Sequence, residues 1–186
     1  MRMDAKEISL TAIFAGLYAA INIIQTTMGG PIVYGPIQLR LADCLIPLAA
    51  LFGWPLVLGV SIGCFSNAYY WLDPADVIIG PLVNFAAAAL VFALRKRRLA
   101  ASISGAFAVG IPIGFYLSYL YTQGNQIIIE QVPSFGLSLP IWTAFVLSLT
   151  VSSLIAIALI GYILLNALAQ PAVIEPLKSH GLRIYT

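Results

Sequence analysis

Residues 75–121 read ADVIIGPLVNFAAAALVFALRKRRLAASISGAFAVGIPIGFYLSYLY, two long apolar runs on either side of four consecutive basic residues. Each run is close to or above the ~20 residues with which an α-helix crosses the ~30 Å hydrocarbon core of a bilayer. Lys and Arg collect in the short cytoplasmic loops of membrane proteins. The stretch from Arg95 to Arg98 therefore predicts a cytoplasmic turn between two membrane-spanning helices.

The rest of the 186-residue chain has the same character, because 61% of its residues are hydrophobic and only 9% are charged. Soluble domains contain about 25% charged residues. Apart from Arg40, the remaining basic residues lie near the two ends of the chain, at Arg2, Lys6, Lys178 and Arg183. The same charge rule predicts that both termini are cytoplasmic, so an even number of crossings separates neighbouring basic clusters.

Six apolar segments predict six transmembrane helices, over about residues 8–27, 41–52, 55–71, 75–94, 99–121 and 140–169. The second contains Pro47 and is too short to span a bilayer unaided at ~1.5 Å per residue, so we expect it to begin below the outer surface. Glycine and proline in residues 28–38, and polar residues in 122–139, predict outer loops. The expected fold is an all-α integral membrane protein of six transmembrane helices, with both termini cytoplasmic and a single domain over residues 1–186.

Several chemistries are excluded by the residues that the chain lacks. The sole histidine, His180, lies in the C-terminal tail, so neither a Ser/His dyad within the membrane nor a metalloprotease helix is available. Lys178-Ser179 follows a leucine, so it is not a phosphate-binding loop, and the chain cannot use ATP by itself. Cys44 and Cys64 are isolated in apolar stretches and are interpreted as small packed side chains. We expect no enzyme activity, cofactor or metal, which leaves transport, binding or a structural role.

Polar side chains persist near the predicted outer ends of helices 2, 3 and 4. Ionisable groups in a membrane are costly and usually face the interior of the bundle or a cavity. An aromatic ring together with carboxylate, amide and guanidinium groups suits a flat, polar heterocycle. The predicted substrate-binding residues are Gln38, Arg40, Asp43, Asn67, Tyr70, Trp71, Asp76 and Asn84.

Simpler interpretations of the same residues remain open. Arg40 and Asp43 are three apart on one helix face and can pair with each other. Tyr70 and Trp71 can be aromatic residues of the membrane interface. Asn84 can hydrogen-bond a neighbouring helix without touching a ligand.

The stretch from Gln38 to Leu90 resembles the QueT family, the substrate-binding S components of energy-coupling factor transporters. The family pattern has a Gln-x-Arg segment at helix 2, followed by an Asn in helix 3 and by Asp and Gly in helix 4. Asp43 stands where the family usually has Glu, and Ala42 stands where it usually has Ser. The matching residues are Gln38, Arg40, Asn67, Asp76 and Gly80.

This resemblance implies six helices, a site open to the outside, and uptake of queuosine precursors, which are 7-deazaguanine bases. It also implies a transmembrane scaffold subunit and partner ATPases as the source of energy. Helix 1 is similar to the small-residue helix by which S components contact their transmembrane partner. The small residues expected to bind this partner are Ala12, Ala15, Gly16, Ala19 and Ala20.

Other functions remain open at this point. The chain can be an S component for another vitamin-like heterocycle, or a non-transporting membrane scaffold subunit whose polar residues only hold helices together. A stand-alone secondary transporter would take up its substrate without any ATPase. The internal repeats of many secondary transporters are not found in this sequence.

Overall fold

A computed structural model of the protein describes residues 3–29, 39–69, 74–124 and 140–185, and every regular element within these ranges is a helix. The helices are α1 (Ala5–Gly29), α2 (Leu41–Leu48 and Ala49–Phe52), α3 (Trp54–Cys64 and Phe65–Tyr69), α4 (Pro74–Ala93), α5 (Arg98–Gly124), α6 (Ile141–Ser153, Leu154–Gly161 and Tyr162–Leu168) and α7 (Pro171–Ser179). Helix α2 consists of a 3₁₀ helix and a short α-helix, α3 ends in a 3₁₀ turn, and the middle of α6 is a π-helix.

The first six helices lie within a few residues of the predicted segments. The short helix α7 was not predicted; it begins at Pro171, a residue suited to a first helical position, after an extended Gln170. The two predicted outer loops lie outside the described residues, apart from residues 28–29 and 122–124, which belong to the ends of α1 and α5.

The exterior of the bundle is apolar, as expected for a protein surrounded by lipid. Large hydrophobic side chains such as Ile13, Leu82 and Ile163 are 60–62% exposed. Soluble monomers rarely expose a large continuous apolar surface. Three of the described helices, Ala5–Met28, Arg98–Leu120 and Trp142–Leu168, are long and apolar enough to cross a membrane. Shorter apolar helices cover Leu41–Phe52, Trp54–Asn67 and Val77–Ala93.

Helix α2 is the centre of the bundle, because it contacts α1, α3, α4, α5 and α6. Nearly all of its side chains are buried. At ~2.0 Å per residue in the 3₁₀ part and ~1.5 Å in the α part, it covers ~22 Å, compared with ~18 Å for an α-helix of the same length. Pro47 lies inside the 3₁₀ part and supplies no N–H. The stretched geometry lets a short segment reach further into the bundle.

Pairs of glycines let neighbouring helices approach closely. A Cβ atom at Gly59 would lie 2.8 Å from the Phe14 Cβ, so no larger residue fits between α1 and α3 there. Gly110 and Gly114 make the same close approach between α5 and α6. Gly161 lies against Pro47, where a Cβ would be 2.7 Å from the proline ring. Small residues are a common means of packing helices within a membrane.

The three basic clusters meet at one end of the bundle. The Lys6 ammonium donates to the His180 carbonyl oxygen at 2.7 Å, which joins the start of α1 to the C-terminal segment. Further along that segment, the Tyr185 N–H donates to the Leu51 carbonyl oxygen at 2.8 Å. The Arg95 guanidinium lies 5.3 Å from the Tyr185 ring centroid. This end, defined by Lys6, Arg95 and Tyr185, is called the basic end below.

Candidate functional site

At the opposite end of the bundle, polar side chains from α1, α2, α3 and α4 form a buried hydrogen-bonded network. Helix α1 ends there, α2 begins there, and the end of α3 and the first half of α4 complete it. Five network residues are almost inaccessible to solvent: Tyr18 (1% exposed), Asn22 (3%), Asp43 (1%), Asn67 (0%) and Asn84 (1%). Buried polar groups in proteins are almost always hydrogen-bonded.

The Tyr18 hydroxyl joins three helices in the first half of this network. It donates to the Asp43 Oδ1 at 2.6 Å and accepts from the Asn84 Nδ2 at 2.8 Å. These bonds connect α1 to the start of α2 and to the middle of α4. An ionised carboxylate only accepts hydrogen bonds, so the single hydroxyl proton goes to Asp43 and the amide of Asn84 must donate.

Asn22, one turn further along α1, organises the second half. Its Nδ2 donates to the Asn67 Oδ1 at 2.7 Å and to the Ser66 Oγ at 2.9 Å. The Asn67 Nδ2 lies 3.6 Å from the Cys64 Sγ. A Cβ at Gly80 would be 3.3 Å from both of these atoms, so glycine gives α4 room to pack against the end of α3.

The start of α2 is fixed by Gln25 and carries the charged part of the network. The Gln25 amide nitrogen donates to the Leu39 carbonyl oxygen, and its Oε1 accepts from the Leu41 N–H at 2.8 Å. The Arg40 Nε lies 4.0 Å from the Asp43 Oδ2, which is the distance of an ion pair rather than of a hydrogen bond. The Arg40 side chain is 11% exposed, so both charges lie largely away from water.

The structure brings Arg40, Asp43 and Asn84 into one network, with Asn67 joined to it through α1. Two of the simpler interpretations also have a structural counterpart, because Arg40 pairs with Asp43 and Asn84 bonds a neighbouring helix. Gln38, Tyr70 and Trp71 lie outside the described residues. Asp76 lies in the first turn of α4, and its side chain is not described.

Sequence reasoning missed the residues that α1 contributes. Tyr18, Asn22 and Gln25 follow one another at i, i+4 and i+7, and they are the polar positions of the otherwise apolar stretch 12–25 of α1. This spacing places them on one helix face. The pattern is visible in the sequence, but three uncharged polar residues are a weaker signal than the charged residues of helices 2 to 4.

The predicted partner-binding residues of α1 divide between two faces of the helix. Ala12, Gly16 and Ala20 are exposed, and a Cβ at Gly16 would have no neighbour within 4 Å. Ala15 and Ala19 are only partly exposed. The first three residues, at intervals of four, are called the exposed stripe below.

Among the residues that the structure describes, no three His, Cys, Asp or Glu side chains lie close enough together to hold a metal ion. The groups that the network offers are a carboxylate, a guanidinium, amides and hydroxyls. These groups accept and donate hydrogen bonds in fixed directions, which is suited to holding a polar ligand or to holding helices together.

Comparison with known families gives a match over most of the chain. The model of a family described as the QueT transporter matches residues 8–170, which extend from α1 to just past the end of α6. Neither the search of curated proteins nor the search of solved structures found a match.

Proposed function

The chain belongs to the QueT transporter family, and from this we propose that it is the substrate-binding S component of an energy-coupling factor importer for 7-deazaguanine bases, the precursors of queuosine. Membership of a transporter family supports a role in transport rather than catalysis. Its apolar helices place it in a membrane, and we propose the plasma membrane of the cell. The family match confirms the resemblance found in the sequence between Gln38 and Leu90.

The observation that carries this proposal is the buried carboxylate of Asp43. A charged group inside a membrane protein is costly unless it is paired, and such groups usually mark a substrate pathway. The Asp43 Oδ1 accepts a hydrogen bond from the Tyr18 hydroxyl at 2.6 Å, and the Asp43 Oδ2 lies 4.0 Å from the Arg40 Nε. Four helices contribute polar side chains to this network, and the side chains meet at one end of the bundle, as expected of a binding site.

The chemistry of a guanine-type base fits this set of groups. Such a base offers adjacent N–H donors, which a carboxylate such as Asp43 or Asp76 can accept as a pair. The neighbouring carbonyl oxygen of the base needs a donor, which Arg40 or Asn84 can supply. Trp71 can stack on the ring. Gln38, Asn67 and Tyr70 complete the proposed site.

We further propose that the chain crosses the membrane six times, with the basic end in the cytoplasm and the polar network towards the outside. The gathering of Lys6, Arg95 and the C-terminal segment at one end supports this orientation. To test it, single cysteines are introduced into a variant lacking Cys44 and Cys64. A cysteine at position 96 should resist an impermeant thiol reagent in intact cells and react after lysis; its modification in intact cells would contradict the topology.

The energy for uptake is proposed to come from partner ATPases bound to a shared transmembrane scaffold subunit. This agrees with the lack of a phosphate-binding loop in the sequence. The exposed stripe of α1 supports a scaffold contact, because its small residues leave room for another helix to approach. Ala15 and Ala19 would lie at the margin of this contact.

Binding of 7-deazaguanine to the purified full-length protein tests the proposed substrate directly. We expect saturable binding at one site per chain, measured by titration calorimetry. Mass spectrometry of small molecules that co-purify with the protein identifies the ligand independently. Saturable binding of a different heterocycle, with none of 7-deazaguanine, would assign the chain to another vitamin-like substrate.

A second candidate, a non-transporting membrane scaffold subunit, is favoured by one observation. The bonds from Tyr18 and Asn22 run between helices of the same chain and already satisfy much of the network. In that case no small molecule should bind, and no co-purifying ligand should be found. Uptake by the chain alone, without ATPase subunits, would instead indicate a secondary transporter.

A further inference from the structure

The Tyr18 hydroxyl lies between two of the proposed substrate-binding side chains, and it determines what each of them can offer to a ligand. We propose that Tyr18 is the positioning residue of the site: it holds the Asp43 carboxylate and the Asn84 amide in fixed orientations, with the carboxylate as the main acceptor for a ligand, and so selects bases that carry adjacent N–H donors. This inference rests on the proposed function and adds a residue and a selection rule to it.

The first argument is the direction of the hydrogen bonds. Because Asp43 can only accept, the proton of Tyr18 points to its Oδ1 at 2.6 Å. The lone pairs of the hydroxyl then face Asn84, whose Nδ2 donates at 2.8 Å. The orientation of the Asn84 amide follows from this network, since the two ends of an amide cannot be told apart by shape alone.

The second argument is that the Tyr18 ring has little freedom to move. Its side chain is 1% exposed and is packed against α3. A Cβ at Gly63 would lie 2.7 Å from the Tyr18 Cβ and 3.2 Å from its Cδ1, so the ring fills the space that this glycine leaves. A ring held in this way places its hydroxyl at a fixed point between α2 and α4.

These constraints decide which groups remain for a ligand. The Asn84 amide turns its nitrogen towards Tyr18, so its oxygen, an acceptor, lies at the other end of the group. The Asp43 carboxylate is fixed through Oδ1 and supplies further acceptor positions. The donors to a ligand carbonyl oxygen are Arg40 and the second N–H of the Asn84 amide. A site with these acceptors favours a ring edge that carries both a ring N–H and an exocyclic amine.

The test compares two probes, 7-deazaguanine and 7-deazahypoxanthine, which lacks the exocyclic 2-amino group. The parent should prefer 7-deazaguanine by at least ~tenfold, because a site built to pair a donor binds an analogue without it poorly. Tyr18→Phe keeps the ring and removes the hydroxyl, so that preference should fall to ~threefold or less as the carboxylate and amide lose their orientation. Tyr162→Phe, the same change on α6, should keep the parent's preference.

A double variant separates positioning from general stabilisation. Tyr18→Phe combined with Asp43→Asn should bind 7-deazaguanine like Asp43→Asn alone, because the hydroxyl acts through the carboxylate. If Tyr18→Phe folds and keeps the parent's preference, or weakens both probes equally, the inference is wrong while the proposed function stands. If Tyr18→Phe fails to fold while Asp43→Asn folds, the hydroxyl is structural and the inference is also wrong. A parent protein that binds neither probe would contradict the proposed substrate itself.

Discussion

The two faces of α1 are built from different residues and meet different surroundings. One face carries Phe14, Tyr18 and Asn22, all buried against the rest of the bundle. The other carries the exposed stripe of Ala12, Gly16 and Ala20. On the buried face the neighbouring glycines of α3 provide the space for close packing. On the exposed face the small residues belong to α1 itself, and nothing in the described bundle covers them.

This difference teaches that small residues in a membrane helix have two uses, which sequence alone does not separate. Gly59 and Gly63 are four residues apart, as are Ala12 and Gly16, and both spacings match a helix-packing motif. The first pair packs against another helix of the same chain, since Cβ atoms at Gly59 and Gly63 would lie 2.7–2.8 Å from atoms of α1. The exposed stripe has no neighbour within the described bundle, so α1 has room for the proposed scaffold contact on the side opposite the buried polar network.

The largest effect is expected from a bulky residue at the buried contact. In Gly63→Leu, the new Cβ would lie 2.7 Å from the Ala15 carbonyl oxygen, a backbone atom that cannot rotate away. The two helices must separate, and the loss should exceed the ~1 to 3 kcal/mol that is typical of an overpacked core. We expect little folded protein in size-exclusion chromatography. A variant that elutes and unfolds like the parent would mean that α1 does not pack on α3 as described.

The same substitution on the exposed stripe should have a selective effect. Gly16→Leu adds a side chain where a Cβ has no neighbour within 4 Å, so the chain itself should fold and bind 7-deazaguanine normally. The bulk should prevent a partner helix from approaching and abolish co-purification with the scaffold subunit. Ala15→Leu is expected to have the same effect on co-purification, but it is a less selective test because Ala15 also faces α3. Loss of folding in Gly16→Leu would show that this face packs within the chain.

Changes at the carboxylates should reduce binding without affecting the partner. Asp43→Asn removes the charge that Arg40 faces and leaves a buried group unpaired, which costs ~1 to 3 kcal/mol, and more for a charged partner. Binding of 7-deazaguanine should weaken by at least ~tenfold, since 1.4 kcal/mol is a factor of ten. We expect the same of Asp76→Asn.

The control for the carboxylate variants is Asp73→Asn, which should bind like the parent, because the sequence Asp73-Pro74 predicts a turn rather than a part of the site. Expression and thermal unfolding are measured for all three variants. Normal binding by both Asp43→Asn and Asp76→Asn, or misfolding of all three, would assign these carboxylates to structure.

The positions of the helices could be predicted from sequence because an apolar run of the right length is a local signal. The segment 41–52 agrees with the short apolar helix Leu41–Phe52, and its shortness is evident from the sequence. The 3₁₀ geometry was not, because it depends on how the surrounding helices shelter the segment. Helix α7 was missed because it is short and lies in what was interpreted as a solvated tail.

The candidate site was only partly predictable for a related reason. Arg40, Asp43 and Asn84 were recognised because charge and amide groups are conspicuous among apolar residues. Tyr18, which bonds Asp43 and Asn84, and Asn22, which bonds Asn67, lie on another helix. Which helix faces which is decided by tertiary packing rather than by spacing along one segment. A polar stripe on α1 indicates a buried contact, but it does not show which helix makes that contact.

The smallest expected effect comes from adding a single methyl group on either side of α1. One methyl is added at Gly16, on the exposed face of α1, and the other at Gly63 of α3, against the buried face. Gly16→Ala places that methyl in open space, and alanine favours a helix over glycine by up to ~1 kcal/mol, so stability should stay the same or rise slightly. Gly63→Ala gains the same helical preference, but its methyl would lie 2.7 Å from the Tyr18 Cβ and from the Ala15 carbonyl oxygen. The clash should outweigh the gain and lower the midpoint of thermal unfolding. Because the two substitutions are chemically identical, equal shifts in the midpoint would contradict the assignment of one face to internal packing and the other to a partner.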